Sequence, residues 1–268
     1  MKKYFSKQLW LLSLWGFSLG MFIKNLRGIP FYFRDLSRLK RQRRYGGGKQ
    51  EFPMKYFPIL SDKFASAGTL SGDYFHQDLL VAKKIFVANP VKHVDIGSRV
   101  DGFVAHVAVF REIEIFDVRE LKSTVKNIHF TRANLIELPE NMENYCDSIS
   151  ALHSIEHFGL GRYGDPVDYF GHVKAIKNIA QILKPKGTFY FSVPIGKQRI
   201  EFNAHRVFSV SYLWNILKEN FDLISFSYVD DAGNLRENVE FTDKSIKQSF
   251  ECDYVLSGGV GIFELQKR

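Results

Sequence analysis

The residues whose types and spacing can do chemistry sit where short apolar runs end: Asp95, Gly97, Asp117, Asn134, His153, Glu156, His157 and His205. Asp95 and Gly97 close "HVDIG" (93–97), Asp117 closes "EIEIFDV" (112–118), Asn134 follows "IHFTRA" (128–133), and His153, Glu156 and His157 lie at and after the end of "SISALHS" (148–154). Asp117 comes twenty residues after Gly97, the separation at which a carboxylate accepts hydrogen bonds from both hydroxyls of an adenosine ribose. A carboxylate two residues ahead of the first glycine would repel a pyrophosphate, so Asp95 predicts a loop that takes a cationic group. Histidine is the side chain suited to accept a proton from a hydroxyl near neutral pH. His157, within "HSIEHFGLGRYGD", leads as that base, with Glu156 or Asp165 to orient it. His205, within "FNAHRVF", is second, with Asn203 and Arg206 placed to hold a sugar or an acidic group. Each histidine taken singly also fits a structural role, and His153 also fits a strand cap. "GLGRYGDP" (159–166) reads as a turn whose Arg162 and Tyr163 can close over a ligand.

Positioning these residues requires a particular framework. "YFHQDLLVAKKIFVAN" (74–89) places Phe75, Leu79, Ala82, Lys83 and Phe86 at helical spacing, with Tyr74 and Gln77 near the expected ligand. Further helices are predicted over 103–110, 169–183 and 209–220, and further strands over 188–194, "FDLISFSYV" and "VGIFELQK". Alternation of this kind means an α/β fold, a parallel sheet with helices on both faces that binds ligands beyond the carboxyl ends of its strands.

The charge of the chain is divided along its length. Residues 1–50 carry twelve of the 37 Lys/Arg and one of the 29 Asp/Glu, so the net charge of +8 belongs to the arm and the rest is slightly acidic. An enzyme of nucleic acid would carry its basic stripe on the folded body, so DNA and RNA are excluded as partners. In the arm, "LWLLSLWGFSLGMFI" (9–23) is an uncharged run between lysines; at 1.5 Å per residue it reaches about 22 Å, short of a hydrocarbon core of roughly 30 Å. Trp10, Trp15 and the basic "RDLSRLKRQRR" (34–44) suit anchoring on an anionic membrane surface through residues 1–45. That reading stands ahead of a helix packed on the body and of a spanning helix. "GGG" (46–48) reads as a joint, giving an arm and linker over 1–49 and a folded domain over 50–268. Two cysteines, Cys146 and Cys252, form no CxxC or Cys/His spacing, which fits a reducing compartment and gives no metal site.

The words "HVDIGSRVDGF", "FDV", "ANLIELP", "DSISALHSIEH" and "ILKPKGTFYFSVP" resemble, in order, the class I S-adenosylmethionine-dependent methyltransferases over residues 73–268. The resemblance implies a Rossmann-like seven-stranded sheet and S-adenosylmethionine as cofactor. By it, Gly97 with its neighbours Ser98, Arg99 and Gly102 faces the methionine end together with Asp95 and His153. Asp117 takes the ribose and Asn134 the adenine amine, asparagine standing where the family has an aspartate. Arg99 and Asp101 replace the loop's second and third glycines; Arg99 pairs with Asp101 as a staple or binds the methionine carboxylate. "YFHQDL", "HVDIGSRVDGFVAHV", "EHFGLGRYGDPVD" and "NAHRVFS" are similar to a family of unknown function associated with bacterial surface-polysaccharide gene clusters. The function so implied is O-methylation of a glycan or lipid-linked sugar at the cytoplasmic face of a membrane. The alternative is a non-catalytic scaffold that binds a nucleotide or a partner there.

Overall fold

The computed structural model describes residues 16, 18–45, 52, 54–137, 141–241 and 259–268. It divides into two compact units, Met1–Thr69 and Leu70–Arg268. The boundary read from the sequence at 49/50 falls inside the first unit, and the glycines at 46–48 lie outside the described residues.

In the first unit, helix α1 (Leu19–Tyr45) runs through Pro30. Only the last five residues of the apolar run open this helix; residues 9–15 and 17 lie outside the described part. Cations hold α1 to the segment after it: Arg27 lies 5.0 Å over the Phe64 ring and Lys40 5.0 Å over Tyr56, and Lys63 bonds Asp35 at 3.1 Å. Met21, Ile23, Leu26, Ile29 and Phe33 remain exposed along α1. Among the described residues, no helix is long and apolar enough to cross a membrane.

The second unit is the predicted α/β sheet. Its strands are β1 (His93–Ile96), β2 (Ile113–Asp117), β3 (Ile128–Arg132), β4 (Cys146–Leu152), β5 (Leu183–Pro194), β8 (Phe221–Val229), the two-residue β9 (Leu235–Arg236) and β10 (Val260–Lys267). A separate hairpin pairs β6 (Arg199–Glu201) with β7 (His205–Val207). The strand order is β3-β2-β1-β4-β5-β10-β8-β9. β1 to β5 are parallel, while β10 enters antiparallel between β5 and β8. This is the Rossmann-like methyltransferase sheet, with a short eighth strand at one edge; the antiparallel β10 departs from the fully parallel sheet expected.

Helices α2 (Asp73–Ala88), α3 (Ala105–Ala108, entered through a π turn over Val100–Val104), α4 (Gly171–Ile182) and α5 (Val210–Leu217) cover the sheet. One face packs Ile176, Ile179, Leu213 and Leu217 on a phenylalanine layer that includes Phe189, Phe191 and Phe263. The other packs Val81, Ile85, Phe103 and Val107 on Ile113, Ile115 and Tyr190. α2 buries Gln77, Asp78, Val81 and Ile85, leaving Leu79 and Phe86 exposed, so it is rotated from the face predicted. Apolar residues ring this helix, and the choice of face falls to its polar residues: the buried Ser192 hydroxyl donates to Gln77 Oε1 at 2.6 Å, and Gln77 donates to Asp78 at 3.2 Å.

Strand alternation places His93 and Asp95 on the sheet face opposite Val94 and Ile96. There they form a buried polar chain with β4. The Ser150 hydroxyl donates to Asp95 at 2.6 Å and meets His93 Nε2 at 3.1 Å, while His93 Nδ1 meets Ser148 at 2.8 Å. Full burial pushes His93 down to about 3, so it stays neutral.

Candidate functional site

The carboxyl edge of the sheet opens into a cleft of two adjoining lobes. Gly97, Asp117, Arg119, His153, His157 and Tyr163 line both lobes. The first lobe adds Asn134, Ser154 and apolar walls from Phe116, Leu135 and Phe158; the second adds Tyr74, Ser98 and Arg99.

Gly97 stands at the junction. Its φ is +62°, and a Cβ there would meet Ser154 Cβ at 3.3 Å and Asp117 Oδ2 at 3.9 Å. Glycine therefore both permits the turn and keeps open the space between Ser154, after β4, and Asp117, at the end of β2. Gly102 is required for a different reason: a Cβ would come within 2.7 Å of Asp78 Oδ2. It packs under the loop and lines neither lobe. Asp78, held among the polar side chains of α2, is pushed up to about 6 by burial.

Asp95 corrects the expectation that it faces a cationic ligand. It is fully buried, and accepts from Ser98 N at 2.9 Å, Ser98 Oγ at 2.5 Å and Ser150 Oγ. Burial pushes it up to about 6. Ser98 Oγ accepts in turn from Leu152 N at 3.0 Å, so Asp95 and Ser98 shape the loop from behind. Arg99 resolves to the staple: its Nε donates to Asp101 at 2.8 Å, and its guanidinium lies 5.4 Å from the Tyr74 ring.

Asp117 lines the cleft as predicted, but both of its oxygens are engaged. Arg119 donates to it three times, from its backbone N at 2.8 Å, Nε at 3.0 Å and Nη2 at 2.7 Å. The same guanidinium lies 4.3 Å over Tyr163. Arg119 was not singled out from the sequence, although its place two residues after the ribose carboxylate is a usable signal. Asn134 Oδ1 accepts from Ile136 N at 3.2 Å, which fixes the amide at the wall of the first lobe. Ser154, also unpredicted, leaves a buried hydroxyl with no partner among the described residues.

The histidines separate by what they face. His153 Nδ1 meets Glu156 Oε1 at 2.9 Å, and its ring lies 4.8 Å from that of Tyr74. His157 Nδ1 donates to the Ala204 carbonyl at 2.7 Å, and its Nε2 is 3.7 Å from the same Glu156 oxygen. Burial, only partly offset by Glu156, holds His157 below its ordinary value. Its ring meets Tyr163 edge-on at 5.3 Å. Asp165 does not orient it; that carboxylate accepts from Gly159 N at 2.7 Å and Tyr163 N at 3.2 Å, stapling the glycine turn. His205 lines neither lobe, its Nε2 being 3.6 Å from Glu201 on its own hairpin. Arg206 is buried with its guanidinium on the carbonyls of Phe158 (2.6 Å), Tyr169 (3.1 Å) and Glu156 (3.4 Å), so it ties loops together rather than holding a ligand.

A family model described as "Caenorhabditis protein of unknown function, DUF268" matches residues 98–255, more than half of the chain. The chain belongs to this family. Its matched span includes Asp117, Asn134 and the histidines, while Asp95 and Gly97 precede it. No curated protein matches the chain. Among solved structures, the [4+2]-cyclase SpnF matches at 15% identity and TM-score 0.50, over 72% of this chain and 80% of that one. The 1,6-didemethyltoxoflavin-N1-methyltransferase of Burkholderia thailandensis, solved with S-adenosylhomocysteine, gives 15%, 0.49, 71% and 78%. N-methyltransferase NodS from Bradyrhizobium japonicum WM9, also with S-adenosylhomocysteine, gives 10%, 0.47, 73% and 88%. At such identities the likeness is one of fold, and function rests on the site itself.

Proposed function

We propose that this protein is an S-adenosylmethionine-dependent O-methyltransferase acting on a glycan or lipid-linked sugar of surface-polysaccharide biosynthesis, at the cytoplasmic face of a membrane. The observation that carries the donor assignment is the junction at Gly97, where a missing Cβ leaves room between Ser154 and Asp117. The residues present fit an adenosyl ligand. Asp117 would hold the ribose hydroxyls and Asn134 the adenine edge, between Phe116 and Leu135. Tyr74, Arg99 and His153 would wall the methionine end. S-adenosylmethionine supplies, when bound, an electrophilic methyl group on a sulfonium. Tyr163 and Arg119 cover the same region and would exclude water from it. The direct test is transfer of labelled methyl from S-adenosylmethionine to cell-envelope glycolipids. No transfer to any glycan fraction, with the adenosyl ligand bound, would move the acceptor to another class.

The engagement of Asp117 by Arg119 favours a second reading, a scaffold whose ribose site is closed. Replacing Arg119 with alanine separates the two. If the pair is a latch that a ribose displaces, the variant binds S-adenosylhomocysteine about threefold to tenfold tighter, the scale of a half-exposed ion pair. If both proteins fail to bind, the scaffold reading takes over.

The membrane assignment draws on α1, whose exposed Met21, Ile23, Leu26 and Phe33 precede Lys40, Arg41, Arg43 and Arg44. Each cation near an anionic surface contributes about 1 kcal/mol. Changing those four to glutamine is expected to lower partition onto phosphatidylserine vesicles a hundredfold or more, with little change on pure phosphatidylcholine. Equal partition of the two proteins on both vesicles would remove the arm from the account.

A further inference from the structure

Asp117 has too few acceptor sites for everything the cleft asks of it. A carboxylate offers about four lone pairs, shared equally between its oxygens. Oδ1 already accepts from the backbone N of Arg119 at 2.8 Å and from its Nε at 3.0 Å, and Oδ2 accepts from Nη2 at 2.7 Å. Two ribose hydroxyls can therefore bond there only if the guanidinium gives up at least one of its contacts. Arg119 can do so, because its side chain is 52% exposed. The guanidinium does not then lose its place, since it lies 4.3 Å over the Tyr163 ring, a contact that holds a cation without neutralising it.

A second arginine meets the same ring. Arg162 lies 5.1 Å from the centre of Tyr163 and donates Nη1 to the Ala204 carbonyl at 2.9 Å, and among the described residues it has no carboxylate partner. The acidic groups nearby are engaged elsewhere or set apart. Asp165 accepts from Gly159 N and Tyr163 N, Asp101 accepts from Arg99, and Glu120 lines the second lobe without reaching the first. Releasing Arg119 from Asp117 thus leaves two guanidinium groups on one aromatic ring beside the cleft.

Resting on the methyl-transfer reading above, we infer that Arg119 changes partner as the donor binds: the ribose takes over Asp117, and the freed guanidinium, with Arg162 beside Tyr163, holds an oxyanion of the acceptor. Guanidinium binds phosphate and carboxylate alike through paired N–H groups. The acceptor class is therefore an anionic glycan, its charge carried by the phosphate of a lipid link or by the carboxylate of an acidic sugar. The two ligands are then coupled. Either one alone must open the Asp117–Arg119 pair, and the second to arrive finds it open, so each tightens the other by the same factor. The exposure of the pair sets that factor at about threefold to tenfold. The acceptor is held well only where the donor is in place.

Calorimetric titration of the full chain tests this, with inorganic pyrophosphate and glucuronate as the anions and glucose as the neutral control, each with and without saturating S-adenosylhomocysteine. The parent is expected to bind at least one anion about threefold to tenfold more tightly with S-adenosylhomocysteine present, and to show no such change for glucose. A response to pyrophosphate alone places the charge in the lipid link, and to glucuronate alone in the sugar. Arg119→Ala is expected to act in opposite directions on the two ligands, tightening S-adenosylhomocysteine while weakening the anion about tenfold, and to abolish the coupling. Arg162→Ala weakens the anion and leaves both the S-adenosylhomocysteine affinity and the coupling near those of the parent. Anion taken up by the basic arm responds neither to S-adenosylhomocysteine nor to these changes, so the differences report on the cleft. Independent binding of S-adenosylhomocysteine and anion to the parent, competition between them, equal coupling for glucose, or an anion affinity unchanged in Arg119→Ala would overturn the inference. If neither the parent nor Arg119→Ala binds S-adenosylhomocysteine, the methyltransferase reading falls instead, and the coupling with it, while pyrophosphate binding weakened by both changes would still locate an anion on these two arginines.

Discussion

Replacing Asp117 with alanine is expected to weaken S-adenosylhomocysteine binding by about a hundredfold or more while leaving the fold intact. Among the described residues the carboxylate is the one acidic side chain that lines both lobes, and hydrogen bonds from two ribose hydroxyls to a charged acceptor contribute about 1.5–3 kcal/mol each. Its present partner, Arg119, is half exposed, so breaking that pair costs the folded state little. Asp117→Asn keeps one acceptor oxygen and should lose about tenfold. Calorimetric titration alongside thermal unfolding checks both halves. An unchanged affinity in Asp117→Ala would mean that the adenosyl group, if bound at all, lies elsewhere.

Replacing Arg206 with methionine is expected to have the largest effect on stability. The guanidinium is 4% exposed and donates to the carbonyls of Phe158 and Tyr169, with a longer contact to Glu156. Burial lowers its affinity for the proton, yet not enough to discharge an arginine. Methionine replaces the stem but leaves those buried acceptors unpaired, a loss of roughly 3–5 kcal/mol. For a unit of this size that lowers the melting temperature by roughly 10 °C. The turn that carries Glu156 and His157 should loosen with it, and the affinity for S-adenosylhomocysteine should fall. A melting temperature within about 2 °C of the parent, combined with loss of binding of an acidic sugar, would return Arg206 to the ligand-holding role that its sequence position implied.

Arg206 marks the limit of what the sequence displays. Long periodic segments were legible: α2, α4, α5 and the strands from β1 to β4, β8 and β10 all form where their apolar spacing places them, while β5 begins at Leu183, five residues ahead of the 188–194 predicted. The β6–β7 hairpin was not, because strands of three residues bearing arginine, glutamate and histidine leave no period to read. Without that hairpin, Arg206 and His205 looked like residues at an open edge. Asp95 was misplaced for a subtler reason. It sits inside β1 rather than beyond it, and alternation against Val94 and Ile96 turns it into the opposite core, where two serines of neighbouring segments satisfy it.

The site itself was legible wherever position alone decides it. Gly97 and Asp117 line the cleft because they close adjacent strands, and Asn134 because it follows a third. Direction was not legible. His153, Glu156 and His157 are close in sequence, but the left-handed backbone at His153 and the short 3-10 turn over Ile155–His157 set Glu156 Oε1 2.9 Å from His153 Nδ1 and 3.7 Å from His157 Nε2. The staple at Arg99 likewise depended on the π turn that follows it.

The central claim is that this cleft holds the methyl donor, and calorimetric titration of the full chain with S-adenosylhomocysteine tests it most directly, with NAD as the competing nucleotide. The account requires a single saturable site for S-adenosylhomocysteine that Asp117→Ala abolishes and that NAD neither fills nor blocks. No binding of S-adenosylhomocysteine to the parent or to Arg119→Ala, or binding of NAD in its place, would contradict it.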